Sequence, residues 1–99
     1  IVFKYMRSVP ATFNNPDKTK VAVTAARNLV GTSSVNDAVR VFMGAEDFAY
    51  MLQERPGAYI FVGNGPTAAC HHPAFDFDDE ALPYGIGWWV KLVETILAP

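Results

Sequence analysis

One cysteine, Cys70, in 99 residues excludes a disulfide framework and any zinc finger built on cysteine pairs. Charge is sparse and nearly balanced, with 8 basic and 10 acidic side chains and a formal net charge of −2. No basic patch exists to contact phosphates, so nucleic acid is excluded as a partner. No uncharged apolar run approaches the ~18–20 residues that span a bilayer, so no membrane partner is expected. The chain opens on Ile1, Val2 and Phe3 and runs directly into Lys4, which reads as neither a signal peptide nor a natural start. This opening leads us to expect a piece of a longer protein. The composition, 51% hydrophobic and 18% charged, excludes overall disorder. A chain of 99 residues allows one domain at most.

Local signals divide the chain into alternating elements. Residues 1–9, IVFKYMRSV, are β-branched and aromatic and read as a strand ended by Pro10. Residues 10–15 read as a connector. A helix follows, with Asn15 as N-cap, Pro16 at the first helical position and Asp17 near the positive end of the dipole. It runs to about Val30, where Gly31 offers a left-handed cap. Ala38–Met43 reads as a short strand broken by Gly44, and a second helix is expected from about Ala45 to Glu54, before the Pro56–Gly57 turn. Ala58–Val62 is a continuous apolar run, the pattern of a strand covered on both faces. A long loop leads to a last helix over about 82–97. There Trp88, Leu92 and Ile96 align beside Trp89, Val93 and Leu97, so this helix is expected to pack heavily on a sheet. The order strand, helix, strand, helix, strand, helix predicts an α/β fold of helices packed on a sheet.

Two segments carry potential chemistry. In Met43-Gly44-Ala45-Glu46-Asp47-Phe48 a glycine and two carboxylates precede a helix. The plain interpretation is a helix start whose acids answer the dipole. The functional one is that Gly44 lets the backbone approach a ligand beside a carboxylate. In Cys70-His71-His72-Pro73 the only two histidines adjoin the only cysteine. Neutral imidazole is a common ligand of first-row metals, which makes a metal the natural suspect. Adjacent side chains diverge, so at most one of the two histidines should touch a given ion. Solvated loop histidines are the plain alternative. Cys70 as a nucleophile is disfavoured, because no base or orienting third group is identifiable.

Taken together, MGAEDFAYMLQERPGAYIFVGNGP and HHPAFDFDDEALPYGIGWWVKLVETIL resemble the C-terminal end of a dinuclear metallo-amidohydrolase. The family is that of hippurate hydrolases, plant indole-acetyl-amino-acid hydrolases and related aminoacylases. The similarity runs from about Val9 through Leu97.

The resemblance implies that residues 1–9 are the last strand of an inserted lid, or dimerisation, domain. It makes 10–15 the return linker and 16–99 the C-terminal part of a metallopeptidase-like catalytic domain. It implies hydrolysis of the amide of N-acyl amino acids or small peptide conjugates, using two divalent ions (zinc, manganese or cobalt). It also implies a homodimer formed through the lid, and a cytoplasmic location is expected. His71 is the implied metal ligand. Gly44, Glu46, Asp47, His72 and Asn14 are the implied substrate-facing or supporting residues, with Glu46 or Asp47 fixing the second nitrogen of His71 and Asn14 helping to hold a substrate carboxylate. Cys70 stands where the family commonly has leucine. The other metal ligands and the glutamate base are not found here, so the 99-residue chain alone is expected to be inactive and to bind no metal tightly. The alternative is a non-catalytic structural or interaction fragment.

Overall fold

Asn15, Pro16 and Asp17 open the longest run of local order near the N-terminus, and the helix they start is formed as the punctuation predicts. In the computed structural model, which describes residues 1–97, α1 spans Pro16–Val30. The Asn15 side chain accepts from the backbone N–H groups of Asp17 and Lys18, both at 3.1 Å, satisfying two donors that lack helical partners. At the other end the Gly31 N–H donates to the Arg27 carbonyl at 2.9 Å. Gly31 has φ 81° and ψ 158°, an extended left-side conformation open essentially to glycine alone, rather than a left-handed helical cap. A single 3-10 turn follows at Thr32–Ser34. α2 spans Phe48–Glu54 and α3 spans Ala81–Leu97.

The core is the junction of α1 and α3. Ala22 and Ala25 are buried on α1, and Trp88 of α3 closes over them. The Trp88 Nε1–H donates to the Ala22 carbonyl at 3.1 Å, so the indole buries its apolar body without leaving a donor unpaired. A Cβ placed on Gly87 would lie 3.0 Å from a Leu29 methyl, which marks how closely the helices approach. Leu29, Leu92, Ala58 and Ile60 pack around this contact, half-buried.

The expected sheet is not formed among the described residues. Residues 1–9, 38–43 and 58–62 contain no assigned strand, so the α/β layering and the lid strand are corrected to three helices joined by irregular segments. The reason is physical: a strand is a paired state, and an apolar, β-branched segment becomes one only when another backbone satisfies its N–H and C=O groups. Segment 58–62 instead meets its neighbours through side chains, with the Phe42 and Phe61 ring centroids 5.4 Å apart. The last helix also differs from expectation. Trp88 is buried and Leu92 half-buried, whereas Trp89, Val93 and Ile96 are exposed. α2 starts at Phe48 rather than Ala45, for a reason found at Glu46.

Candidate functional site

The histidine loop connects residues 58–62 to α3, and its tip is shaped by short-range bonds. The His72 N–H donates to the Ala69 carbonyl at 3.0 Å, and the Phe75 N–H donates to the His72 carbonyl at 2.9 Å. Between these turns His71 has φ 70°, the only positive φ at a non-glycine among the described residues. Histidine is one of the types that tolerates this region, yet the conformation is uncommon and costs energy. The two histidines are not equivalent. Nδ1 of His72 accepts from the Ala74 N–H at 3.0 Å, which assigns the proton of a neutral His72 ring to Nε2. Neither nitrogen of His72 then has a free lone pair. No hydrogen bond engages the imidazole of exposed His71 among the described residues.

Tyr59 joins the other segments. Its hydroxyl donates to Glu46 Oε2 at 2.9 Å, and Oε1 of the same carboxylate accepts from the Phe48 N–H at 3.1 Å. Glu46 therefore caps α2 from outside the helix, which leaves Asp47, already helical in its dihedrals at φ −64° and ψ −24°, as the residue just before the helix start at Phe48. The backbone of Tyr59 is gripped by Asn14. The Tyr59 N–H donates to Asn14 Oδ1 at 2.7 Å, and Asn14 Nδ2 donates to the Tyr59 carbonyl at 2.8 Å. One side-chain amide thus stands in for a neighbouring strand. The Asn15 N–H continues the pattern by donating to the Gly57 carbonyl at 2.9 Å. The Tyr59 ring packs between Phe48 and Phe61, at centroid distances of 5.5 and 5.2 Å.

This arrangement has a pH signature. The Phe48 N–H, aided by the Tyr59 hydroxyl, holds the Glu46 carboxyl below its ordinary 4.5. Accepting that bond, Glu46 pushes the Tyr59 hydroxyl above its ordinary 10.0, with burial and the charges of Glu46 and Cys70 adding to the effect. The depressed carboxylate favours the folded state above pH 4.5, and that contribution is lost as pH falls through its folded value. The raised phenol favours it below pH 10.0, and that contribution is lost as pH rises through its folded value. We expect the protection of the Ala49 and Tyr50 amides, relative to their intrinsic exchange at each pH, to be greatest between these limits, and Glu46→Gln to remove the acid limb and shrink the alkaline one, since Glu46 is the largest cause of the Tyr59 shift. An unchanged acid limb in Glu46→Gln would show that another carboxylate governs it.

The sequence-predicted site residues do not converge into one closed centre. His71, His72 and Cys70 lie together on the exposed loop. Glu46 is committed to Tyr59 and Phe48, and no hydrogen bond joins it or Asp47 to His71. Gly44 is exposed beside the Phe42 ring, 3.7 Å from where its Cβ would stand. Cys70 lines an apolar recess of about 470 Å³ with Phe75, Phe77, Leu82, Ile86 and Trp89. Asn14 and Tyr59 line a larger groove of about 790 Å³ between α1, α3 and residues 59–63. His71 lines neither. Among the described residues no group of three or more His, Cys, Asp or Glu side chains is placed to hold a metal ion. The donors present therefore fit the role of one imidazole contributed to a metal centre, not a complete centre.

Sequence reasoning missed Tyr59, because its hydroxyl is the one side-chain polar atom inside the run AYIFV and was absorbed into the apolar pattern. A polar tip within an otherwise buried run was the available signal.

The pattern of Peptidase family M20/M25/M40 matches residues 1–95. Among curated relatives, a putative amidohydrolase, YhaA, of Bacillus subtilis (strain 168) is 36% identical over 85 residues, covering 81% of this chain and 21% of its own length. N-acetylcysteine deacetylase of the same organism is 32% identical over 95 residues, covering 96% of this chain and 24% of the relative. IAA-amino acid hydrolase ILR1-like 2 of Arabidopsis thaliana is 35% identical over 82 residues, covering 78% and 18%. The chain thus spans about a fifth of the length of these relatives. No solved structure matches it.

Proposed function

The chain belongs to peptidase family M20/M25/M40, and on that premise we propose that the intact protein is a metal-dependent amidohydrolase of N-acyl amino acids, hippurate-like compounds or small peptide conjugates. The observation that carries the proposal is the His71 backbone. Among the described residues, the one non-glycine residue held at positive φ is the histidine that the resemblance matches to a metal ligand, and its ring is exposed and makes no hydrogen bond. Strain at an otherwise unremarkable loop residue is the kind of cost that a binding role retains.

In this reading His71 is the ligand and His72 the residue that shapes the turn, because Nδ1 of His72 already accepts a backbone proton. Two divalent ions, zinc, manganese or cobalt, would when bound polarise the scissile carbonyl and acidify a water. The chain's own residues bind and orient. Glu46 anchors the Gly44–Asp47 loop through Tyr59, leaving exposed Asp47 as the carboxylate to orient the second nitrogen of His71. Gly44 keeps that loop open for close approach of the acyl group. Asn14 uses one amide hydrogen on Tyr59 and retains another for a substrate carboxylate at the rim of the larger groove. Residues 1–9 belong to a lid domain that forms a homodimer, 10–15 are the linker and 16–99 are part of a cytoplasmic catalytic domain. The ties from Asn14 and Asn15 to Tyr59 and Gly57 support joining the end of this linker to the catalytic part.

The test is hydrolysis of a panel of N-acyl amino acids by the intact protein, before and after chelation. Turnover should vanish with chelator and return with zinc, manganese or cobalt. Failure of the metal-loaded protein on the whole panel overturns the proposal. The 99-residue chain alone should show neither turnover nor stoichiometric zinc binding in calorimetry, since one imidazole cannot hold an ion that needs at least about three protein ligands. Metal-dependent turnover by that chain which disappears in His71→Ala would refute this.

A further inference from the structure

We propose that Asn64 is a positioning residue that closes the base of the His71 loop and thereby fixes where the imidazole is held, an inference that rests on His71 acting as a ligand. Asn64 lies just before the loop and uses its whole amide on the segment that leaves it. Nδ2 donates to the Asp76 carbonyl at 2.8 Å, and Oδ1 accepts from the Asp78 N–H at 2.9 Å. These bonds bridge 12 and 14 positions of sequence, so they tie the two ends of the loop rather than form a local turn. A C=O and an N–H two residues apart are what a neighbouring strand would engage, and here one side chain supplies both contacts. Thr67 adds a third tie, its Oγ1 accepting from the Asp76 N–H at 3.0 Å.

The closure is tight and continuous with α3. Gly65 has φ 70°, and a Cβ there would stand 3.1 Å from Asp78 Oδ2. Asp78 Oδ1 accepts from the Glu80 N–H at 3.0 Å, and its carbonyl accepts from the Ala81 N–H at 2.9 Å, where α3 begins. By contrast, the bonds at the tip join residues no more than three positions apart: Ala69 with His72, His72 with Phe75 and Ala74. Those turns shape the tip but cannot place it against the rest of the chain. Placement comes from the base, and Asn64 makes two of its three ties. A displaced ligand weakens a metal site without any change in the ligand itself.

The experiment compares the intact protein with Asn64→Ala, and with Thr67→Val, which removes one tie from the loop's own side. Amide exchange is followed in the metal-free protein, and zinc affinity is measured by chelator competition. We expect Asn64→Ala to speed exchange across residues 67–78 while α1 and the melting temperature stay close to the parent. Zinc affinity should fall by about 10–100-fold, as for other groups that support a ligand, and excess zinc should restore turnover. Thr67→Val should shift both readings in the same direction by less. Unchanged exchange in residues 67–78 overturns the proposal. Faster exchange with unchanged zinc affinity also overturns it, provided that His71→Ala loses zinc. If His71→Ala keeps its zinc, the ligand assignment is what fails, and the exchange measurement then decides loop closure by itself. Should Asn64→Ala not fold, Thr67→Val decides on the same two readings.

Discussion

Replacing His71 by Ala in the intact protein is expected to strip zinc and abolish nearly all turnover, whereas His72→Ala should keep its zinc. The asymmetry follows from what each ring does in the loop. His72 spends Nδ1 on the Ala74 N–H, and the proton this assigns to Nε2 leaves no lone pair facing outward. Ligation through Nε2 would require moving the proton to Nδ1, against a backbone donor. His71 carries no such commitment among the described residues, and its backbone is held at φ 70°. A directly bound ligand should cost more than the ~10–100-fold typical of residues that only support one. His72→Ala should lose about 0.5–1.5 kcal/mol for one hydrogen bond and loosen the 72–74 turn. Zinc content by elemental analysis and turnover of an N-acyl amino acid read both effects. Zinc lost in His72→Ala and kept in His71→Ala would reverse the assignment.

Local chemistry made part of this molecule legible in its sequence. Asn15, Pro16, Asp17 and Gly31 act within a few residues of themselves, and α1 has the limits they predict. The last helix is likewise where its apolar periodicity puts it. What failed depended on distant partners. The run AYIFV is apolar enough for a central strand, but strand formation is decided by a neighbouring backbone that local pattern does not contain. The start of α2 shifted because the Glu46 side chain turned to Phe48 and Tyr59 instead of joining the first helical turn. The histidine pair was visible as a site, yet the Ala74 bond that separates its members emerges only from the fold. Asn64 looked like an ordinary loop residue, because its partners lie 12 and 14 positions away.

Trp88→Ala is expected to unfold the 99-residue chain, while Trp89→Ala should leave it close to the parent. The sequence places both indoles on adjoining stripes of α3, and by composition alone they are interchangeable. The structure separates them: Trp88 is 7% exposed and Trp89 is 63% exposed, although their rings touch edge to face at 4.8 Å. Removing a buried aromatic costs about 3–5 kcal/mol, against roughly 5–15 kcal/mol for the whole stability of a typical domain. Here the loss is concentrated, because among the described residues the buried cluster around Trp88 is otherwise only Ala22 and Ala25. Two alanines cannot close the gap that an indole leaves between α1 and α3. Trp88→Phe separates packing from hydrogen bonding. It keeps most of the apolar contact but drops the bond to the Ala22 carbonyl, and should cost about 1 kcal/mol for that bond plus the lost ring area. Trp89→Ala gives up an edge contact with Trp88, worth about 0.5–1.5 kcal/mol, and little else. Urea denaturation of the four proteins at several concentrations measures these differences. Equal destabilisation by Trp88→Ala and Trp89→Ala, growing with protein concentration, would mean that a second copy covers the Ile86, Trp89 and Val93 face and that α3 is anchored from both sides.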